Sequence, residues 1–419
     1  MQPNSSRTSF FGAALGTMIE YYDYGLFTLF LPIVSPIFFP ADTLAKSLEK
    51  GYWVLLIAMI VRPLGGIGFG YLGDYFGRRK ALLGSMYGIA LATLVIGLTP
   101  SYATIGIWSV VMITVAKSVQ LFCFGGEYNG AGIYVVEHAK SNRESLTGSF
   151  LTSMMLFGSL LASLLGVFFT ASFMPVWSWR VAFMLGGLIG VFGIIYRKNL
   201  YEPPHFKQAD SKRHTLGNLF KKFPRELLAG IFIGGFATAP FMSVLAFVNP
   251  MLVAKGFFTN HQLMWLQSLI ILVGVVAVVL AGLAADKHSP KQVMRVGCIL
   301  LMIFSYPLLL LMDSGATLWV ILAEAAIIII NEVLLGPSNA YLKKIFPMEY
   351  RYRGASFSFC IGMSLLGGLT PLVESYIYRM TGQISSIAVW LIFIGVGAFL
   401  SMGWVDSQRS TILVGQEAS

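Results

Sequence analysis

The chain has 419 residues, 56% of them hydrophobic and 11% charged, with a mean hydropathy of +0.74. Soluble domains carry about 25% charged residues, so a soluble fold is excluded. The net charge of +10 would suit nucleic acid, but no soluble basic module is present to bind it.

Twelve apolar stretches follow in chain order, at roughly 9–39, 51–73, 81–100, 104–136, 146–171, 181–197, 225–252, 262–285, 293–312, 317–341, 353–378 and 384–404. Each approaches or exceeds the ~20 residues that cross a hydrocarbon core. Barrel-type alternation is absent, so the spans are helices. Arg7 before an apolar run resembles a signal peptide. That run is too long, however, contains Glu20 and Asp23, and lacks a small-residue cleavage site; it is the first span. Only Lys46, Lys50, Arg180, Lys255 and Arg379 fall in outer loops if the N-terminus is inside, and Arg62 and Lys117 lie within spans. The other basic residues are then cytoplasmic, as the positive-inside rule requires. Both termini are expected in the cytoplasm. Cys123, Cys298 and Cys360 sit in spans, which implies no disulfide framework.

The segment Gly70-Tyr71-Leu72-Gly73-Asp74-Tyr75-Phe76-Gly77-Arg78-Arg79-Lys80 closes the second span. A worn copy, Gly282-Leu283-Ala284-Ala285-Asp286-Lys287, recurs half a chain later, so the protein is two related halves. The expected organisation is a six-helix bundle over 1–197, a cytoplasmic linker over 198–224, a second bundle over 225–404, and a tail over 405–419.

Eight ionisable residues lie within the spans: Glu20, Asp23, Arg62, Lys117, Glu127, Glu324, Glu332 and Glu374. A charge at mid-bilayer is costly and usually faces a partner or a polar cavity. Six acids cannot be neutralised by two bases. Burial disfavours the ionised carboxyl, so the surplus favours proton coupling. Glu20 and Asp23 share a face of the first helix, and Lys117 and Arg62 belong to the same half. Arg62 either binds a substrate carboxylate through its planar fork or locks helix 2 against Glu20 or Asp23; the lock is favoured. Glu127 belongs near the inner gate. Glu332, beside Asn331, is the best acid of the second half, whereas Glu324 and Glu374 are expected to be solvated rim residues. Pro240 and Pro250, with Asn249, mark a kink in helix 7. Tyr21, Tyr22, Tyr24 and Phe27 surround the helix 1 acids, either as packing or as a cage for a quaternary ammonium. Packing is the better reading. Tyr24, Gln120, Asn249, Asn331 and Glu332 join Arg62 as substrate-binding candidates.

These motifs resemble the major facilitator superfamily over nearly the whole chain. The 70–80 stretch is similar to its loop between helices 2 and 3. The runs Glu20-Tyr21-Tyr22-Asp23, Arg62-Pro63-Leu64-Gly65-Gly66, Gly125-Gly126-Glu127-Tyr128 with Gly130-Ala131, Trp179-Arg180-Val181-Ala182-Phe183 and Gly367-Gly368-Leu369-Thr370-Pro371 narrow the resemblance to the metabolite:H+ symporters, which include proline/betaine, shikimate, citrate and 2-oxoglutarate carriers. The resemblance implies an all-α membrane protein of 12 transmembrane helices in two pseudo-symmetric bundles, the major facilitator fold. It implies proton-coupled uptake of a small polar metabolite (organic acid, amino acid or betaine) by a monomer in a bacterial inner membrane, with the proton as coupling ion and no cofactor or metal. Export by proton antiport of a metabolite, siderophore or drug is the alternative. In related sugar porters a helix 1 acid pairs with a helix 4 arginine, and counting back from Glu137 places Lys117 there. Asp23 is then the main proton acceptor against Lys117, with Glu20 second. A static Asp23–Lys117 pair and a titrating Lys117 remain open. The resemblance also implies a cytoplasmic gate: Gly70, Asp74, Gly77, Arg78 and Arg79, with Asp74 capping helix 11 near Arg351 and Arg353, Glu137 and Arg143 forming a charge cluster beside Arg78 and Arg79, and Asp286 as the second-half copy of Asp74. Lys344-Ile345-Phe346-Pro347 reverses the usual acid of the second half, so Lys343 and Lys344 are expected in a solvated loop. Gating and proton relay are expected to concentrate in residues 1–200, and substrate choice in the second half. A sensor would need an appended soluble module that the short tail does not offer. An intramembrane enzyme is disfavoured because His138, His205, His214, His261 and His288 lie in loops or at span ends, with no nucleophile–base set.

Overall fold

A computed structural model describes residues 3–417 except 77, 126–131, 133, 134, 138, 141, 198–215 and 349; side chains of 3–13, 70, 73–76, 78–82, 192–197, 216–218, 352 and 406–417 are not described. The apolar stretches become helices α1 Pro3–Leu29 (continued by Leu31–Phe38), α2 Leu44–Phe76, α3 Arg78–Leu98, α4 Ile107–Phe124, α5 Glu144–Phe169 and α6 Trp179–Arg197. The second half supplies α7 Pro224–Met242, α8 Asn260–Lys287, α9 Pro290–Asp313, α10 Thr317–Ile345, α11 Arg351–Gly362 and α12 Ala388–Glu417. Nine described segments are long and apolar enough to span a membrane, and 83–98 and 179–191 are shorter apolar helices. The linker contains a short helix, Leu216–Lys222, and α12 continues to Glu417. No glycine or proline interrupts it between Val405 and Gly415, so nothing in the chain stops the helix where the apolar run ends.

Helix ends follow local chemistry. Thr259 and Gln262 form a reciprocal capping box at α8. Ser289 caps α9 ahead of Pro290. Gly382, at φ 74°, ends the α11 segment in the left-handed region.

Two segments depart from α-geometry. α7 passes through a π-helix, Ser243–Val248, before Asn249–Ala254. α11 passes through another, Met363–Gly367, before Gly368–Thr381. Pro240 and Pro250 flank the first, so the expected kink is a local change of helical pitch.

In the first half α1 packs on α5, α2 on α4 and α3 on α6; in the second α7 packs on α11 and α12, α8 on α10, and α9 on α10. The bundles meet along α5–α8 and α2–α11. Close crossings rest on absent side chains. A Cβ at Gly65 would overlap the Phe122 carbonyl oxygen, and one at Gly125 that of Arg62. Gly234 and Gly362 play the same reciprocal part between α7 and α11, against the Phe359 and Ile231 carbonyls. That contact explains the glycines of the Arg-Pro-x-Gly-Gly run.

Candidate functional site

Asp23 is 1% exposed, and neither carboxyl oxygen has a hydrogen-bond partner. It occupies space left by Gly186 of α6, where a Cβ would collide with Oδ1. Lys117, fully buried, is an electrostatic neighbour, but the two do not form the expected contact: no ion pair within 4.0 Å joins them. Gln120 intervenes. Its Oε1 accepts from Lys117 Nζ at 2.7 Å, and its Nε2 donates to Thr93 Oγ1 at 2.8 Å and to the Asp23 carbonyl at 3.4 Å. The rings of Tyr24 and Phe27 flank the ammonium at 5.5 and 5.2 Å. Gln120 therefore sits inside the first bundle, and the structure corrects its assignment to substrate.

Arg62 is also buried, its guanidinium 4.7 Å from the Phe124 ring and 6.0 Å from Tyr24. It pairs with neither Glu20 nor Asp23 within 4.0 Å, so neither expected lock is formed. The arginine lies behind Tyr24 and Phe124, one layer from the central cavity.

That cavity, about 40 Å³ in this conformation, lies between the bundles. Tyr21, Tyr24, Thr28 and Ser159 line it from the first half, and Thr238, Phe241, Asn331, Glu332 and Phe359 from the second. Asn331 Nδ2 donates to Glu332 Oε1 at 3.1 Å, leaving Glu332 Oε2 and Asn331 Oδ1 without partners. No lysine or arginine is among the described lining residues. Tyr24, Asn331 and Glu332 are thus brought together as the sequence suggests; Arg62, Gln120 and Asn249 are not. The hydroxyls of Thr28, Ser159 and Thr238 had no distinguishing sequence signal.

Asn249 lies beside Glu324 on the C-terminal side of the π-helix, without a well-formed hydrogen bond. Glu324 and Glu374 are both fully buried, which overturns the rim reading. Neighbouring helices cover both: Ser243 Oγ of α7 donates to Glu374 Oε1 at 2.6 Å.

Contacts across the bundles bracket the cavity. At the end carrying the Gly–Asp loops, Asp286 accepts from the Ser145 and Leu146 N–H groups at 2.8 and 3.0 Å. A carboxylate there complements the N-terminal dipole of α5. Lys343 pairs with Glu144 at 2.9 Å, and Arg351 with Glu137 at 3.0 Å. Glu137 thus reaches across to the second bundle, while Arg143 is exposed and in no ion pair among the described residues. Lys343 makes a contact across the bundles, contrary to the solvated-loop expectation. Its partner Glu144 is one that the sequence reading did not single out. Gly77 and Glu127 lie outside the described residues, as do the side chains of Asp74, Arg78 and Arg79 and the surroundings of Gly70. Arg353 stands at the start of α11. At the opposite end, Arg379 pairs with Glu49 at 3.4 Å and Thr170 contacts His261 at 3.3 Å.

Comparison with known proteins agrees with this architecture. Residues 10–216 match the family described as "Sugar (and other) transporter". A putative proline/betaine transporter of Staphylococcus aureus is 31% identical over 400 residues, covering 92% of this chain and 85% of that protein. The proline/betaine transporter of Escherichia coli K12 is 26% identical over 413 residues, covering 93% and 81%. Among solved structures, a D-xylose–proton symporter superposes with a TM-score of 0.74 at 16% identity, covering 96% and 97% of the two chains. The E. coli fucose:proton symporter gives 0.69 at 12%, covering 96% and 99%. These structural likenesses show the fold: twelve helices in two bundles. The chain belongs to the major facilitator superfamily of transporters and, within it, to the metabolite:H+ symporter family.

Proposed function

We propose that the protein takes up a small zwitterion, a betaine or an amino acid, together with protons, by alternating access. The observation that carries this reading is the lining of the central cavity, which offers Glu332 and tyrosine and phenylalanine rings but no described basic side chain. Aromatic faces and a carboxylate attract a quaternary or primary ammonium. An organic di- or tri-acid would find no counter-charge there. Relatives named as proline/betaine transporters support the same class.

Asp23 is the proton acceptor. An ionised carboxylate buried with neither donor nor cation in contact costs several kcal/mol, so this arrangement suits the neutral acid. Loss of the proton would draw Lys117 from Gln120 towards Asp23. Glu20 and Lys117 complete the relay. The excess of basic residues puts the Asp286 end in the cytoplasm, with both termini there, in a bacterial inner membrane. The cavity is complete within one chain, so a monomer suffices.

Uptake into proteoliposomes with an alkaline interior tests the reading. Glycine betaine or proline should accumulate, and citrate or shikimate should not compete. Accumulation of the acids alone would refute the zwitterion; substrate movement against the proton flux would refute symport in favour of antiport. D23N should abolish proton-driven accumulation yet leave substrate exchange.

A further inference from the structure

We propose that Glu374 is a second protonation site, one that governs the outer mouth: it holds a proton while that mouth is closed and returns it to the outside when the mouth opens. This rests on the alternating-access reading above, and it adds a proton that gates without being carried across.

Glu374 lies on the outer segment of α11, Gly368–Thr381, where α11 meets α2 of the other bundle. Gly368 touches Met59 of α2. Six residues further out, about 9 Å along the helix, Glu374 is level with the start of the α2 span. Its surroundings are nearly complete. Ser243 Oγ, at the first position of the α7 π-helix, donates to Oε1, whereas Oε2 has no partner. Tyr52 of α2 is its electrostatic neighbour, 1% exposed, with a hydroxyl that also has no partner.

No described cation is left to neutralise it. On its own helix, Arg379 is engaged by Glu49 of α2 and Tyr378 lies under Lys255 at 5.2 Å. Lys255, following α7, is held by Asp313 at 3.8 Å. From α12, Trp390 is committed to Thr370 Oγ1 at 2.9 Å. An ionised carboxylate in this place would have one hydroxyl donor and no counter-charge, an expensive state to bury. The neutral acid has an accepting oxygen already satisfied and one O–H to give. Separation of α2 from α11 would admit water, stabilise the ionised form and release the proton outward.

Spin labels at K46C and Q383C, exposed positions on either side of the outer mouth, report its opening in nanodiscs without substrate or gradient. The full chain should shift towards longer separations as pH rises from about 5.5 to 9. E374Q, a permanently neutral mimic, should remain at the short separation throughout. S243A removes the one donor to the ionised form and should raise the midpoint by about one pH unit, the worth of one charge-assisted hydrogen bond; this variant also serves if E374Q folds poorly. D23N should keep the pH response. A wild-type pH response in E374Q, an unmoved midpoint in S243A, or a response lost in D23N would overturn the proposal. The last outcome would leave symport standing. Failed proton-driven uptake with an intact, Glu374-dependent opening would instead sink symport and leave the gate.

Discussion

Asp286 offers the sharpest test of the proposed inner gate. It stands on α8, and the two N–H groups it accepts from belong to the first turn of α5, in the other bundle. These bonds exist only while the bundles meet at that end, so their loss falls on the closed–open equilibrium. A cap of this kind is worth about 0.5–2 kcal/mol, and a hydrogen bond to a charged group about 1.5–3 kcal/mol. One carboxylate serving two donors at a half-buried site should contribute about 2–3 kcal/mol. Asp286→Ala should then lower the closed-to-open ratio about 30- to 150-fold. A gate closed about 99% of the time would then be closed only about 40–75% of the time. Asp286→Asn keeps one acceptor and should lose about half the free energy. Spin labels at K140C and M348C, both placed at this mouth, would show the long-distance population. An alanine variant with the wild-type distribution would refute the capping argument, and so would an asparagine variant as open as the alanine one.

Three further outcomes rest on contacts of the same kind. Lys343 and Glu144 form a pair whose side chains are 17% and 18% exposed; a double-mutant cycle should give a coupling of about 1 kcal/mol, and the exchange E144K/K343E should restore transport lost in K343E. Zero coupling would reduce the pair to surface decoration. Gly65→Ala should abolish the folded yield in size-exclusion runs, because its Cβ would overlap the Phe122 backbone; Gly84, where an added Cβ would meet nothing within 4 Å, should accept alanine with a change under about 0.5 kcal/mol. Arg180 donates to the Gly97 and Thr99 carbonyls at 2.8 and 2.6 Å and stacks on Trp179 at 4.7 Å. Arg180→Ala should destabilise the detergent-solubilised protein by about 2–4 kcal/mol, visible as a lowered Tm, and an unchanged Tm would show the cap to be dispensable.

The spans were legible because bilayer thickness imposes length and apolarity directly on the sequence. The glycine pairs of α2 and α4 were visible as motifs, although only the crossing shows which carbonyls they meet. Depth was less legible. Glu374 and Glu324 looked like rim residues when counted along their own helices, but α7 supplies the Ser243 that covers one and the Asn249 that lies beside the other. Gln120 looked like a free amide for substrate; its three partners are set by α1, α3 and its own helix, and no spacing within α4 reveals the first two. Lys343 lay in a run read by analogy as solvent-exposed, and its partner Glu144 comes from the other half of the chain.

The second half contributes to the described inner contacts alongside the first. The intact motif at 70–80 pointed to a gate concentrated in residues 1–200. The described inner contacts instead draw Asp286, Lys343 and Arg351 from the second half, each meeting a backbone end or an acid of the first. The worn copy kept the one residue its role requires: an acceptor in line with α5 needs a carboxylate, but not the second arginine. The second half also carries both described π-helices. One extra residue per turn rotates the rest of the helix by about 100° relative to a regular one. In α7 this change begins at Ser243, the donor to Glu374, and ends beside Asn249, the neighbour of Glu324. In α11 it begins at Met363, on the cavity wall. A regular α7 that placed Ser243 on Glu374 could not also hold Asn249 in its present direction. Straightening α7 by deleting one residue from Ser243–Val248 should therefore disturb Glu324 while sparing the Asp23–Gln120–Lys117 cluster, which lies wholly in the other bundle. If that deletion left transport and its pH dependence unchanged, the π-helix would have no part in placing the second-half acids.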